Sequence, residues 1–534
     1  MSRVIFDDQP SAPVLNPGRA DIACFVGLVR LLPGATLPAT MSAWLNSLGY
    51  SNAQIATITN IPVLVENYLA FNSIFDDGSA GTGSGTDYLA TGVRSFFAQG
   101  GRRCYVVRVD DPVTSTETAQ TKAVKLQELL LNSSYAPDNA QSWTGVGSLS
   151  ALEDASFLLT PDLPILCASQ QNGAVGQVPS VLTGPQEFVV CSQGDITPQP
   201  YRTFPSPAPQ LSASDYTGWA ASVAAILNYL ASGVLTNQLH LREIQFVAAF
   251  PIPQDLDPAT AAESPSSAEI AQDIHDVICA QMPETVLPYG IVPPGNISSS
   301  FLQLAYPWLK TSGSGILLEQ LEAPDGALAG LLARNALTRG TFTSATKITP
   351  AEIYDISPAL PAQEMQSSAE PLVWGVPCPN PQPKALIERF SLFGFAPDGL
   401  RLLSDVTAYP DESYRSGPVN RLVSVICRAA RQMGESAVFQ NNGPALWGRV
   451  QRFLQNLMTR LWTLNALDGD TASDAFSVRC DRTTMTQNDL DNGRLIAYVT
   501  FTAAFTIETI TVKLAMETSG TSAQQITANL AEVS

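Results

Sequence analysis

YLATGVRSFFAQGGRRCYVVRV, residues 88–109, decides the fold class. Its first half puts Leu89, Val93 and Phe96/Phe97 on one face at helical spacing. Gly100-Gly101 supplies the stop, because glycine tolerates the left-handed backbone that closes a helix. RRCYVVRV (102–109) then reads as a short, β-branched strand. A helix that runs through a glycine pair into such a strand is half of a βαβ unit, so an α/β sheet is expected.

The same grammar extends in both directions. Upstream, IACFVGLV (22–29) is a continuous apolar run of strand length, suited to a buried strand. IPVLVENYLAFNSIF (61–75) gives a strand and then a short helix, and GSAGTGSGTDY (78–88) a loop. Downstream, AQTKAVKLQELLL (119–131) is helical, Leu149, Leu152 and Ala155 fall on a further helix, and SFLLT (156–160) is a strand stopped by Pro161-Asp162. Residues 171–212, rich in Gly, Pro, Ser and Gln, form a long excursion. Helices are expected at about 214–231, 267–281, from about 299 towards YPWLK, and 325–337; strands are expected at 242–250 and about 284–292. Residues 111–380 therefore read as an α/β layer with a mostly parallel sheet, and the Pro-rich stretch 355–384 as a connector.

Residues 413–467, SYRSGPVNRLVSVICRAARQMGESAVFQNNGPALWGRVQRFLQNLMTRLWTLNAL, hold two amphipathic helices. In the first, Leu422, Ile426, Ala429 and Met433 make an apolar stripe, Arg421, Ser424, Arg428 and Arg431 a polar one, and Gly434 suits its end. Asn442, Gly443 and Pro444 punctuate a break. In the second, Trp447, Val450, Leu454, Leu457 and Leu461 form the apolar seam, opposed by Arg449, Arg452, Asn456 and Arg460. The stretch carries seven Arg and one acid, Glu435, inside a chain of net charge −19. Arg suits planar, multidentate contacts, so the arginines read either as partners of acids elsewhere in the fold or as a basic surface for an acidic partner. DAFSVRC (474–480), RLIAYVTFTAAF (494–505) and TIETITVKLAM (506–516) are strand-like, and TQNDLDNG (486–493) is a turn.

Composition narrows the function. At 534 residues, about two to four domains are expected. Charged residues make up only 14%, so much of the surface is uncharged, as where neighbours cover it. With 29 Lys+Arg against 48 Asp+Glu, nucleic acid is not the expected partner. No apolar run is long enough for a membrane span, and Asp7-Asp8 stand where a signal peptide would be apolar, so synthesis in the cytoplasm without Sec export is expected. Eight cysteines without a CxxC pair read as buried free thiols.

Chemistry-bearing motifs are missing. His240 and His275, the two histidines, lie in no triad motif. There is no phosphate-cradling GxxxxGK[ST], and GTGSG (81–85) does not open a helix after a strand. An enzyme is not expected, nor a cofactor or metal.

The landmarks, taken together, resemble the contractile tail sheath proteins of phage tails and phage-tail-like injection systems. DIACFVGLV resembles that family's first buried strand, and residues 88–109 its FF-x-NGG-x-x-cyVVRV segment, with Gln99 where Asn is usual. SALEDASFLLTPDL, LAYPWLK (304–310), APDGALAGLLARNALTRGTFTSA (323–345), VNRLVSVI, VFQNN, LNALDG, AFSVRCD and the strands of 494–514 follow in the family's order. The resemblance covers most of 20–514. The usual N-terminal PGVYVEE arm is not recognisable, and TIETI replaces PAEFI while keeping an acid, Glu508.

The resemblance implies an α/β protein with an α+β C-terminal domain and a subtilisin-like α/β middle region lacking catalytic residues. The expected domains are an N-terminal arm (1–19), an inner α/β part (20–110), a middle or outer α/β region (111–380), a C-terminal inner sheath domain (381–504) and a C-terminal strand and arm (505–534). It implies a structural subunit that stacks in six-fold rings around an inner tube and contracts. The implied partners are further copies of itself, a tube with an acidic exterior, and baseplate and cap proteins, assembled in the bacterial cytoplasm. Short apolar segments at the ends cannot bury much alone, so Val4, Ile5 and Phe6, and Ile507, Glu508, Ile510, Val512 and Leu514, are expected to be strands lent to neighbours. Arg421, Arg428, Arg431, Arg449, Arg452 and Arg460 are expected to contact the tube. The alternatives are a capsid or surface-array protein and a degenerate α/β hydrolase.

Overall fold

A computed structural model describes residues 20–76, 88–109, 118–169, 208–233, 238–254, 267–282, 296–317, 320–366, 372–373, 376–377, 385–410, 412–437, 440–504 and 509–516. The stretch that opened the reading is helix α1 (Tyr88–Ala98), and the strand after it is Cys104–Arg108. Gly100 stands between them at φ +107°, and its amide and that of Gly101 bond back to Phe97 O and Phe96 O. These bonds satisfy carbonyls that the helix end would leave open.

The strands of the main sheet are β1 (Ala23–Gly27), β2 (Pro62–Val65), β3 (Cys104–Arg108), β4 (Phe157–Leu159), β5 (Gln245–Ala249), β6 (Leu302–Tyr306), β9 (Ser391–Ala396) and β10 (Gly399–Leu402). Between β6 and β9 a separate antiparallel ribbon holds β7 (Trp308–Thr311) and β8 (Ile353–Ser357). The sheet order is β10-β9-β6-β5-β4-β1-β3-β2. The six inner strands run parallel, and β2 and β10 close the two ends antiparallel.

Side chains alternate across this sheet. Cys24, Val26, Tyr105, Val107, Leu158, Phe246 and Leu304 enter one core, and Phe25, Cys104, Val106, Leu159, Val247 and Ala305 enter the other. Helices α2 (Ala119–Leu129), α3 (Ala213–Ser232) and α4 (Ser267–Gln281) supply Leu129, Trp219, Val223, Ile274 and Val277 to the first core. Helices α1 and α5 (Pro324–Thr338) supply Leu89, Val93, Phe96, Leu328 and Leu331 to the second. Each fully buried side chain of this size stabilises the fold by about 1.5–3 kcal/mol, which explains why strands covered on both faces are mostly apolar, with Gln245, Gln303 and Ser391 among the exceptions. α1 and α5 approach closely: a Cβ on Gly326 would lie 2.4 Å from Gly92 O, and one on Gly330 2.5 Å from Phe96 O. Gln99 extends this contact, accepting from Ala351 N at 2.8 Å and donating to Ala351 O at 2.5 Å.

The C-terminal lobe has its own core, with Leu422, Ile426, Val450, Leu454, Met458, Val478, Val499 and Phe501. It consists of α6 (Gly417–Ala437), α7 (Pro444–Thr463) and an antiparallel sheet of β11 (Phe476–Arg479), β12 (Leu495–Thr502) and β13 (Thr509–Met516) in that order.

Several expectations are corrected. Residues 302–311 are strands β6 and β7, not a helix. LQLAY is buried at all five positions, so its apolar run carries no period to separate strand from helix. Residues 145–151 form a 3-10 helix, and TQNDLDNG contains a short helix, Gln487–Asp491. α6 continues past Gly434 to Ala437. The boundary at 110/111 fails because β1 and β3 share one sheet with β4, and the boundary at 380/381 fails because β9 and β10 extend that sheet. Cys24, Cys104, Cys167, Cys427 and Cys480 are free thiols, but Cys279 is disulfide-bonded. The arm 1–19, the loop 78–87, the excursion 171–207 and the strand expected at 284–292 lie outside the described residues.

Candidate assembly surface

Doubly wound sheets place ligands beyond the C-terminal ends of their strands, where the strand order reverses. Here that reversal is at β1, which has β3 on one side and β4 on the other. Side chains of the chain itself stand beyond these strand ends. Asp162 Oδ2 accepts the Leu28 amide at 2.8 Å just past β1. Beyond β5 and β6, Tyr216, Trp219, Phe250, Tyr306 and Phe390 pack ring against ring, with Phe250 and Phe390 centroids 4.8 Å apart. Trp308 Nε1 donates to Phe250 O at 3.0 Å, and Tyr216 donates to Pro251 O at 2.7 Å. The histidines stand elsewhere. His240 is buried, with its Nε2 3.1 Å from Leu149 O. Burial, with the charges of Arg431 and Arg428 nearby, pushes it down to about 4. His275 is buried on α4. Among the described residues no group of His, Cys, Asp and Glu is placed to hold a metal ion, and no helix is long and apolar enough to cross a membrane.

The six arginines divide by helix. On α6, Arg421 makes a bidentate pair with Asp405, at 3.0 and 2.7 Å. Arg428 donates to Glu243 at 3.1 Å, to Ser156 Oγ at 3.0 Å and to Ala155 O at 2.7 Å. Arg431 donates twice to Glu243, at 2.7 and 3.0 Å, and once to Glu435 at 2.9 Å. Burial pushes Asp405 up, yet the Arg421 guanidinium and its hydrogen bonds outweigh that and hold it below the usual carboxylate range. Arg421, Arg428 and Arg431 are therefore corrected: their guanidiniums are committed inside the chain and do not form an exposed face. The sequence signal was misleading because Asp405 and Glu243, their partners, lie outside the stretch whose charges were counted.

On α7 the case is opposite. Arg449, Arg452 and Arg460 are exposed on the face away from Val450, Leu454 and Leu461. Arg449 reaches Gln440, and Arg452 Nε donates to Gly448 O at 3.0 Å. Among the described residues none of the three pairs with a carboxylate.

The terminal strand is also placed differently from expectation. β13 pairs with β12 of its own chain, in a register that sets Ile510 against Phe501, Val512 against Val499 and Leu514 against Ala497. This ladder satisfies the facing backbone groups of the two strands within the chain. Ile507 and Glu508, and Val4, Ile5 and Phe6, lie outside the described residues. Among those residues no strand pairs with the outer edge of β11 or of β13.

No family model and no curated protein matches the chain. Solved structures do. A chain of the anti-feeding prophage baseplate in contracted state matches with a TM-score of 0.53 at 16% identity, over 94% of each chain. A chain of the anti-feeding prophage helical sheath in contracted state matches at 0.50 and 16%, over 94% of this chain and 95% of that one. The fold is that of the contractile sheath chains. A chain of the anti-feeding prophage baseplate, 6-fold symmetrised, also matches, at a TM-score of 0.52, 15% identity and 94% coverage of each chain. At these identities the likeness is one of fold, and it spans both the α/β body and the C-terminal lobe.

Proposed function

We propose that this chain is a structural subunit of a contractile sheath. The observation that carries the reading is the match to a helical sheath chain over 94% of this chain and 95% of that one. Copies stack helically in six-fold rings around an inner tube and shorten to drive the tube through a target envelope. The α/β body corresponds to a subtilisin-like region that performs no reaction. The particle is a phage tail or phage-tail-like device assembled in the bacterial cytoplasm on a baseplate and closed by a cap.

Two surfaces serve assembly. Arg449, Arg452 and Arg460 face an acidic tube exterior, through exposed contacts weak enough to release on contraction. The terminal segments, 1–19 and 505–534, connect copies by strand exchange: the β12 edge that holds β13 here accepts the same strand from a neighbour, and Val4–Phe6 adds to the sheet in the same way. Such head-to-tail contacts generate an open helix.

Negative-stain microscopy of the purified chain, with and without its tube protein, tests the reading. Striated tubes are expected. Flat lattices or closed shells would indicate a surface-array or capsid protein instead, and persistent monomers under all assembly conditions would overturn the reading.

A further inference from the structure

α6 is buried on two sides. Leu422, Ile426 and Ala430 face the C-terminal core, while Arg421, Arg428 and Arg431 face the α/β body. The groups they meet stand at the N-terminal ends of the parallel strands. Glu243 precedes β5, Ala155 and Ser156 precede β4, and Asp405 accepts from Gln303 of β6 at 2.9 Å. Gln303 is in turn bonded to Gln245 of β5 at 2.9 Å and to Ser391 of β9 at 2.7 Å. Asp405 also accepts the Ala345 amide at 2.9 Å. A cavity of about 10 Å³, room for a single water, lies in this seam beside Ser156, Glu243, Gln245, Arg421, Ser424 and Arg428.

Contacts between lobes are usually polar and permit relative motion unless they are large and apolar. This seam is polar, yet its two central carboxylates are buried, with Asp405 and Glu243 side chains 1% and 2% exposed. Buried ion pairs add little net stability over apolar packing, yet they accept only one geometry, because any shift strands a charge. The two bidentate arrangements, Arg421 on Asp405 and Arg431 on Glu243, fix angle as well as distance.

We propose that the arginine face of α6 is a keyed joint: it holds the C-terminal lobe in one orientation on the N-terminal edge of the sheet, and pull on that lobe enters the α/β body through Asp405 and Glu243. Only the pull rests on the sheath reading. The fixed orientation is a property of the single chain.

Spin labels attached bio-orthogonally at Thr338 of α5 and Thr459 of α7, both exposed, report the angle between the lobes. The full-length parent is expected to give one narrow distance distribution. Asp405→Asn with Glu243→Gln should widen it at least twofold. The apolar exchange Arg421→Met with Asp405→Leu strands no charge but leaves the Gln303 and Ala345 donors unmet, so it should lower the thermal stability while both cores stay folded, and still widen the distribution. An unchanged width in either folded variant overturns the joint. So does loss of either lobe's core, since a seam that only orients two finished cores is not needed to build them. Parent chains that never form tubes would count against the sheath reading alone, whereas tubes with unchanged label widths would count against the joint alone.

Discussion

At the scale of single residues, Glu322 and Asp325 are, among the described residues, acids that burial pushes well up. Both are fully buried where α1, β7 and the start of α5 meet. Glu322 accepts from Ser95 Oγ and from Thr311 Oγ1, the latter at 2.8 Å. Burial raises Glu322 to about 8, with Asp325 adding to the rise against the pull of Ser95, Thr311 and Arg94. Burial raises Asp325 to about 7. The folded chain therefore holds protons that the unfolded chain releases near pH 4. The contribution of these two acids to stability should fall as pH rises from about 4 through 8, by on the order of a few kcal/mol, and level off above, while His240, held down to about 4, works the other way below about 6.5. Glu322→Gln should flatten that slope in thermal melts between pH 5 and 9, and an unaltered slope would refute the assignment. Nothing in the sequence marks these two acids as buried, just as nothing marked Arg421 and Arg428. A charged side chain is read as exposed until its partner is known, and here each partner depends on tertiary placement.

The scale of elements shows what periodicity can and cannot carry. α1, α3, α5, α6 and α7 were legible because each has one apolar face and a start or stop residue. β6 was not, because burial on both faces erases the period. The close packing of α1 on α5 allows a paired test. Gly330→Ala sets a Cβ 2.5 Å from Phe96 O, so one backbone must shift, at a cost of about 1–3 kcal/mol that exceeds the gain of about 1 kcal/mol in helix propensity. Gly218→Ala on α3 meets nothing within 4 Å, so only the gain remains. The first variant should melt below the parent and the second above it. On α7, Arg449→Glu with Arg452→Glu leaves the buried seam untouched. It should abolish co-sedimentation with the tube protein while thermal stability stays within about 0.5 kcal/mol of the parent. Unchanged co-sedimentation would remove α7 from the tube contact.

For the whole molecule, the α/β class, the C-terminal lobe and the sheath fold were all readable from the order of landmarks. The domain boundaries were not, since a composition shift at 110 or 380 does not reveal that strands on both sides of it hydrogen-bond in one sheet. The strand read over 506–516 is present over Thr509–Met516, where it pairs with β12 of its own chain. Removing 1–19 together with 505–534 should leave a folded monomer with the spectrum of the α/β body and no tubes in microscopy. Tubes of normal length from that variant would exclude strand exchange.

The order of strands in the main sheet bears on how such a chain is born. The earliest strand, β1, lies inside the sheet, and β4, β5, β6, β9 and β10 join on one side in the sequence in which they leave the ribosome. On that side each new strand meets an edge already formed, so the sheet grows there by accretion, whereas β2 waits for β3, made after it, to come between it and β1. The C-terminal lobe follows all of these strands in the chain, so the groups that its arginines must find, Ser156, Glu243 and Asp405, are made before it.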